Sequence, residues 1–358
     1  MKKRIPIFFI ISSVIFLISA ITVFAARRSS AFAELVNGTV SQGFRRLMAA
    51  VGSISEHSIF QMIILASPLL LCLVILLLVR AVRKGALLRR SLSLLSVAML
   101  LWSGNALALG VGYNAVSLSE KLDITPVRVD ADSLAYTLEV LVEEVNALST
   151  EVSRDADGVA VTELSLDEIS ALICDSYDSL SLQYGLYEGF PSAAKPVSTL
   201  HLMSRLGLTG IYTYYTGEAN VNVDYPTYDT VFTAAHEMSH QRGILRENEA
   251  NFLAYLLCST SDDTLLCYSA ALNMTEYVGS ALYRADRERY LDIMDGLTPL
   301  AKNDIAASRA VSAEYGGGLL GDISSFVNDL FLKSNGTPGT VSYGMVVELA
   351  VAYISEGR

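Results

Sequence analysis

The sequence predicts a mainly helical protein, with three transmembrane helices at the N-terminus followed by an α-rich α+β domain that contains a small β-hairpin. Three apolar runs, each long enough to cross a bilayer, occupy about residues 5–25, 59–79 and 91–112. Beyond them, apolar residues mostly recur at helical spacing, and one short stretch alternates as strands do. We therefore expect a membrane anchor over residues 1–112 and a second domain over residues 113–358.

The net charge changes sign at the same boundary. Residues 1–112 carry a net charge of +10 and residues 113–358 carry −21, which together give the −11 of the whole chain. An acidic domain lacks the basic patch that is the usual mark of nucleic-acid binding. The sequence therefore predicts a lipid bilayer as the partner of the anchor and no nucleic-acid partner.

The positive-inside rule orients the three spans. Eight basic residues lie on the side formed by the N-terminus and the loop at 80–90, and six lie on the other side. We therefore expect the N-terminus in the cytoplasm and the second domain outside it. The first run is longer than the apolar region of a typical signal peptide, which favours an uncleaved anchor over cleavage after Val23-Phe24-Ala25.

Local patterns place the remaining elements. Apolar residues from Val36 to Val51 recur every three or four positions, which is typical of an amphipathic helix that lies on the membrane surface or packs on the second domain. A helix is expected over 132–152, and Ser165 with Glu168 has the form of a capping box at the start of the next one. A loop is expected at 191–196, and two strands are expected at 210–215 and 219–223. Later helices are expected to be separated by three glycine-containing breaks, at 296–299, 316–318 and 336–339.

The helix expected after the hairpin carries the segment His236-Glu237-Met238-Ser239-His240. Two histidines four residues apart lie on one face of a helix and suit two corners of a tetrahedral zinc site. Glu237 projects beside that face, where it can act as general base on a water activated by the metal. Pro226 and Gly243 offer a start and an end for this helix.

Glu247 is the expected third ligand. It lies in the first turn of the next helix and shares a face with Ala250, Asn251 and Ala254, whereas Glu249 lies about 200° round that helix. Asn251, one turn after Glu247, is expected to orient a ligand through a hydrogen bond.

Ordinary structural roles remain open for these residues. The two histidines could be buried, hydrogen-bonded groups, and Glu247 or Glu249 could do no more than complement the dipole at a helix start. Cys258 and Cys267 could bridge a helical hairpin outside the cytoplasm, or could remain buried thiols together with Cys174.

The second predicted strand, immediately before the histidine helix, is expected at the edge of the cleft. There Glu218, Asn220 and Val221 would bind an extended peptide, with the strand pairing to it through the main chain. Glu218 could also pair with the free amino group of a substrate, which would favour exopeptidase action. An ordinary turn at Thr216-Gly217 is the alternative.

These motifs resemble a family of bacterial membrane proteins described as domain of unknown function 3810. The resemblance covers nearly the whole chain and is carried by the three spans and by segments 216–222, 234–243, 247–252, 327–329 and 342–344. It implies a gluzincin-like zinc peptidase with a zincin-like domain, in the plasma membrane of a bacterium. The segment from Glu247 to Asn251 is also similar to the Glu-x-x-Ala-Asp motif of membrane zinc peptidases that process prenylated proteins or perform membrane quality control. That similarity implies Glu247 as a zinc ligand, and this chain has Asn251 where those enzymes have aspartate.

We therefore expect a membrane-anchored peptidase that holds Zn²⁺ through His236, His240 and Glu247 and hydrolyses a peptide or protein substrate. A non-catalytic zinc-binding sensor or scaffold is one alternative, and a zinc amidase acting on a non-peptide cell-wall substrate is another. Three tyrosines are candidates to stabilise the oxyanion, unless they only pack in the interior: Tyr225, Tyr228 and Tyr343.

Overall fold

The computed structural model describes residues 6–357, apart from the side chain of Tyr343. The chain forms two compact units: Met1–Val116 with Thr213–Glu218, and Ser117–Tyr212 with Ala219–Arg358. The turn of the predicted hairpin thus belongs to the first unit, although nothing in its local pattern indicates this. Helix accounts for 72% of the chain and strand for 4%, which confirms a mainly helical fold.

In the first unit, the described residues form five α-helices: α1 (Ile7–Ala26), α2 (Ser30–Val36), α3 (Gln42–Gly52), α4 (Ile59–Arg83) and α5 (Leu87–Asn105). By length and composition, three helical segments could cross a membrane, namely Ile7–Ala26, Ile59–Arg83 and Leu87–Asn114. They confirm the three predicted runs within the described residues. Positions 1–5, with the first three basic residues used for the orientation, lie outside those residues.

The segment predicted as an amphipathic helix is helical, but a π-helical turn at Asn37–Ser41 joins α2 to α3. Several of its apolar side chains, among them Val40 and Leu47, are exposed, whereas Val36 is buried and Arg45 is fully buried. The Arg45 guanidinium donates hydrogen bonds to Asn37 Oδ1 at 2.9 Å and to the Ala108 carbonyl at 2.8 Å. Polar groups inside and apolar groups outside are the arrangement expected of a protein surrounded by lipid.

Up to residue 357, the second unit has eleven α-helices: α6 (Leu118–Lys121), α7 (Ala131–Ser149), α8 (Leu166–Tyr184), α9 (Leu202–Arg205), α10 (Thr227–Gln241), α11 (Glu247–Ser259), α12 (Thr264–Ala285), α13 (Arg287–Asp295), α14 (Pro299–Tyr315), α15 (Leu319–Ser334) and α16 (Val346–Ser355). The capping box predicted for α8 is present, because Ser165 Oγ accepts from the Glu168 N–H and the Glu168 carboxylate accepts from the Ser165 N–H. Helix α12 packs against α7, α10 and α11 and so supports the two helices that carry the motif residues.

Three short strands form one sheet with the order β1-β3-β2: β1 (Lys195–Val197), β2 (Gly210–Thr213) and β3 (Glu218–Asn222). The second hairpin strand, expected to pair with a peptide at the edge of the cleft, is not an edge strand of the sheet, because β1 pairs with it in parallel and makes β3 the central strand. Residues 191–196 were expected to be a loop, yet β1 begins at Lys195. A three-residue strand is too short to show an alternating pattern, and its partner lies about 25 residues away in the sequence, so local reasoning could not find it.

All four cysteines are free thiols. Cys258 is fully buried, and burial raises the pKa of its thiol. The Cys267 thiol donates to the Ser261 carbonyl at 3.2 Å. Of the two alternatives, the structure therefore has free thiols rather than a bridge, with Cys258 buried and Cys174 and Cys267 partly buried.

Candidate metal centre

Helix α10 presents the two motif histidines side by side. It begins after Pro226, as predicted, and ends next to Gly243, whose φ of 99° lets the chain reverse direction. The His236 and His240 rings lie 4.6 Å apart between centroids, at an interplanar angle of 85°. Both side chains are buried except for a small exposed edge.

Glu247 is the first residue of α11, and the short turn after Gly243 brings it back to the histidines. Its Oε2 atom lies 3.3 Å from His236 Nε2 and 3.4 Å from His240 Nε2. The three potential ligand atoms lie within 4.8 Å of one another. Residues separated in the sequence by a helix end therefore converge on one point, as predicted.

The geometry of this cluster fits a divalent metal ion. Ligand atoms that are each about 2.0–2.1 Å from a tetrahedral Zn²⁺ lie about 3.3–3.4 Å from one another, and both measured separations agree with that value. Within the described residues, Glu247 Oε2 makes no hydrogen bond of normal geometry, although two imidazole nitrogens are close to it. These atoms are thus placed as ligands of a common ion would be, rather than as hydrogen-bond partners of one another.

The protonation of these groups is set by their neighbours. His240 Nδ1 lies 2.8 Å from the Ile244 carbonyl, which can only accept, so Nδ1 carries the hydrogen and Nε2 points towards Glu247. Burial opposes ionisation, but the neighbouring charges outweigh it, raising the pKa of His240 to about 9 and lowering the pKa of Glu247 below its usual range. The carboxylate is thus ionised, and a metal ion would displace the proton of His240.

Glu237 lies beside the cluster, under strand β2. A Cβ atom at Gly210 would come within 2.5 Å of Glu237 Oε1, so β2 approaches this closely only because residue 210 is a glycine. Burial raises the pKa of Glu237, and the two histidines and a backbone hydrogen bond from Tyr212 counteract only part of this effect. A carboxylate with a raised pKa next to a candidate metal site is suited to accept a proton from water.

Two further polar side chains lie beside Glu247. Asn251 is buried one turn further along α11, and its Nδ2 makes no hydrogen bond of normal geometry in the described part of the chain. Tyr277, on α12, interacts with both residues, since burial and the charge of Glu247 raise its pKa while Asn251 lowers it. Tyr277 is the candidate that the sequence reasoning missed, because nothing in the local pattern of α12 separates it from a packing residue.

The other tyrosine candidates are placed differently. The Tyr225 hydroxyl is 3.2 Å from Ser312 Oγ, and Tyr228 is fully buried. The side chain of Tyr343 lies outside the described residues. None of the contacts described for Tyr225 or Tyr228 joins them to the histidines.

Glu249 is held away from the cluster. Its carboxylate accepts from Arg246 Nη1 at 2.8 Å, and both groups lie at the N-terminal end of α11. The structure thus brings Glu247, and not Glu249, to the histidines. That Glu247 binds a metal stays a prediction.

The three residues expected to bind substrate are buried in the sheet. Both oxygens of the Glu218 carboxylate accept backbone hydrogen bonds, from Ile59 N at 2.8 Å and from Phe60 N at 2.9 Å. The Asn220 side chain donates to the Ile211 carbonyl at 3.2 Å, and Val221 pairs with Pro196 in β1. Strand β3 is thus paired on both sides, which corrects the expectation that a peptide pairs with it, and the outer strand β2 approaches Glu237 instead.

Comparison with known proteins gives one finding. No curated protein and no solved structure matches the chain. A family model described as "protein of unknown function (DUF3810)" matches residues 32–351, which include parts of both units and all the residues of the candidate metal centre. The chain therefore belongs to this family of proteins of unknown function.

Proposed function

We propose that the protein is a membrane-anchored zinc peptidase with a zincin-like second domain. The observation that carries the proposal is the convergence of His236 Nε2 and His240 Nε2 on Glu247 Oε2, at 3.3 and 3.4 Å, with Glu237 beside them. Two histidines and a glutamate are a ligand set that catalytic zinc sites use, because three protein ligands leave the fourth position to water. Zinc bound there would lower the pKa of a water and polarise a substrate carbonyl.

Three further side chains have separate roles in the proposed reaction. Glu237, buried and of raised pKa, takes the proton from the attacking water and later passes it to the leaving amine. Asn251, one turn after Glu247 on α11, would orient a ligand through a hydrogen bond. Tyr277, which interacts with Glu247 and Asn251 and whose pKa is raised, stays protonated at neutral pH and is our candidate to donate a hydrogen bond to the oxyanion.

A peptide is the substrate class that the surroundings favour. Strand β2 is an outer strand of the sheet and approaches Glu237 at Gly210, so an extended chain aligned along it would pass the candidate centre. The net charge of −21 on residues 113–358 disfavours nucleic acid. The three apolar helices are compatible with a membrane protein. We propose the plasma membrane of a bacterium, and the positive-inside count supports a cytoplasmic N-terminus and an extracytoplasmic second domain.

The Glu237→Gln variant tests the proposal. We expect it to keep near wild-type zinc, since Glu237 is not a ligand, and to lower peptide turnover by at least about a hundredfold, the scale of lost general-base assistance. Metal content and cleavage of a peptide library by the full chain in detergent are the two measurements. Glu249→Gln is the matched control, because it makes the same change at an equally buried carboxylate paired with Arg246.

The outcomes separate the alternatives. Turnover retained by Glu237→Gln would refute the mechanism. Stoichiometric zinc without cleavage of any peptide by the wild type would favour a sensor or scaffold, and cleavage confined to cell-wall amides would favour an amidase.

A further inference from the structure

Helix α15 exposes an apolar face. Its large exposed apolar side chains follow one another at spacings of one, three, three, one and three residues, so they share an arc of about 120° round the helix. Two of them, Leu319 and Phe326, are 74% and 68% exposed. We call this face the apolar arc, and it consists of Leu319, Leu320, Ile323, Phe326, Val327 and Leu330.

The other side of α15 faces the second unit. Leu332, nine residues after Ile323 and therefore about 180° round the helix from it, is buried. Asp329 Oδ1 accepts from the Thr340 N–H at 3.1 Å, which ties α15 to the 3₁₀ helix Gly339–Met345 that follows it. The apolar arc thus points away from the unit that α15 belongs to, so no part of that unit covers it.

This arrangement is the reverse of the one that water favours. Helix α7, for example, buries Leu138 and Leu141 and exposes Glu139 and Glu143. The helices of the first unit that could cross a membrane instead carry apolar side chains on their exposed surface, as α15 does. Lipid selects apolar groups on the outside, whereas water does not.

The dimensions and charges of α15 distinguish between the possible partners. Its sixteen residues make the apolar arc about 24 Å long and about 10 Å wide, well below the roughly 800 Å² that each partner buries in a stable protein interface. The same length, with Asp322, Asp329 and Lys333, is too short and too charged to cross a bilayer. Contact with a bilayer surface needs no such large area, because the proposed anchor already holds the chain at the membrane.

We propose that α15 lies flat on the surface of the bilayer, with its apolar arc inserted among the lipids. The inference rests on the membrane anchor of the proposed function, and it does not depend on peptidase activity. An interfacial helix buries its apolar face about 5–10 Å into the boundary between headgroups and acyl chains. Because the helix has two acidic residues and one basic residue, apolar burial and not attraction to anionic headgroups drives the contact, and neutral lipid is sufficient.

The test uses the full chain in bilayers of phosphatidylcholine, with the fluorophore NBD attached to one cysteine at a time. The accessible native thiols are removed by Cys72→Ala, Cys174→Ser and Cys267→Ser, and the fully buried Cys258 is kept. Lipids that carry a nitroxide near the headgroup or near the middle of the bilayer quench a probe at the matching depth. Iodide quenches a probe that is exposed to water.

Ile323→Cys and Phe326→Cys place the probe on the apolar arc. We expect the nitroxide near the headgroup to quench both probes more strongly than the nitroxide near the bilayer centre, since the face reaches only about 5–10 Å into the boundary. Ser325→Cys is the matched control, because Ser325 is exposed on the same helix about 160° round from Ile323. Its probe should be quenched by iodide and not by either lipid.

A label on the native Cys72 tests the anchor separately. Cys72 is exposed near the middle of α4, so its probe should be quenched most strongly by the nitroxide near the bilayer centre. Lipid quenching at Cys72 but not on the apolar arc would overturn the inference and keep the anchor, and no lipid quenching at either place would overturn both. Loss of the peptidase proposal would change none of these signals.

The remaining outcomes concern other partners of the apolar arc. Probes at Ile323→Cys and Phe326→Cys that are shielded from iodide and from both lipids would show that a second copy or a peptide covers the arc, which would overturn the contact with lipid. Lipid quenching of Ser325→Cys as strong as that of Phe326→Cys would also overturn it, because α15 would then be embedded on all sides. If one of the arc variants melts below the parent, Leu330→Cys, on the same exposed arc, takes its place.

Discussion

At the scale of single residues, the first question is whether Glu247 or Glu249 is the third ligand of the candidate metal centre. Glu247 Oε2 is close to both imidazoles, whereas Glu249 is paired with Arg246. Glu247→Ala should therefore empty the site, because a metal ion would keep only two protein ligands. Glu249→Ala should leave zinc bound and cost only stability, since it removes one partly exposed ion pair.

Metal analysis of the two purified variants, after dialysis against a weak chelator, checks this prediction. Equal zinc content in both variants, or loss in Glu249→Ala alone, would contradict the assignment of Glu247. Thermal unfolding of each variant shows whether a loss of metal is accompanied by a loss of the fold.

Asp229 gives a second prediction at this scale, concerning pH. Burial raises its pKa from the ordinary 3.8 to about 7 in the folded protein, and Glu276 contributes to the rise. Between those two values the folded state binds a proton that the unfolded state has released, so the free energy of unfolding falls as the pH rises. Asp229→Asn removes this dependence and should gain thermal stability relative to the wild type from pH 5 to pH 8. Parallel melting profiles of wild type and variant over that range would contradict a raised pKa of Asp229.

Single residues also show what the sequence can and cannot predict. His236, His240 and Glu247 are close in the sequence, so the period of a helix and one turn residue suffice to bring them together. Tyr277 comes from a helix that packs on the other two, and no local period encodes that packing. The engagement of Glu218 by α4 is hidden for the same reason, because its partners lie more than 150 residues away.

At the scale of elements, the hairpin turn stabilises the start of a membrane-type helix. Glu218 accepts from the N–H groups of Ile59 and Phe60, the first two residues of α4, and Ser58 accepts from Gln61 N at 3.0 Å. A carboxylate at a helix N-terminus satisfies donors that have no partner within the helix and favours the helix dipole. We therefore regard Glu218 as a cap that is contributed from a distant part of the chain.

Glu218→Ala should accordingly lower the melting temperature of the full chain in detergent. The expected cost is about 1–2 kcal/mol, typical of a lost cap that leaves a buried N–H without an acceptor. Glu56→Ala, at an exposed position just before α4, is the control and should be neutral. If Glu218 instead binds a substrate amine, Glu218→Gln will change the ratio of cleavage between free and N-acetylated peptides, whereas a cap leaves that ratio unchanged.

Elements were predictable where their signals are local. The capping box of α8, the glycine end of α10 and the start of α11 at Glu247 all depend on residues within a few positions. Strand β1 depends instead on its pairing with β3. The π-helical turn at Asn37–Ser41 contacts the Leu107 carbonyl through Ser41, and the nearby Arg45 contacts the Ala108 carbonyl. The pairing of β1 with β3 makes β2, and not β3, an outer strand of the sheet. The strand that we propose to pair with a peptide is therefore β2.

At the scale of the whole molecule, each unit has its own physical character. In Met1–Val116, apolar side chains face outward and buried polar side chains such as Arg45 are satisfied by carbonyl and amide oxygens. In the second unit, by contrast, a large apolar core is buried and the surface is acidic. This division matches the change in net charge at residue 112, and it is why composition alone could separate anchor from domain.

Orientation is the prediction that belongs to this scale. Eight basic residues, three near the N-terminus and five between positions 80 and 90, where α4 ends and α5 begins, outnumber the six on the other side, so the N-terminus and the connection between α4 and α5 should be cytoplasmic. Three spans then place the C-terminal domain outside the cytoplasm. Alkaline phosphatase fused after Arg358, which is active only outside the cytoplasm, should be active, and a fusion within the connection between α4 and α5 should be inactive. The reverse pair of results would put the candidate metal centre in the cytoplasm, where its substrate would have to be a cytoplasmic peptide.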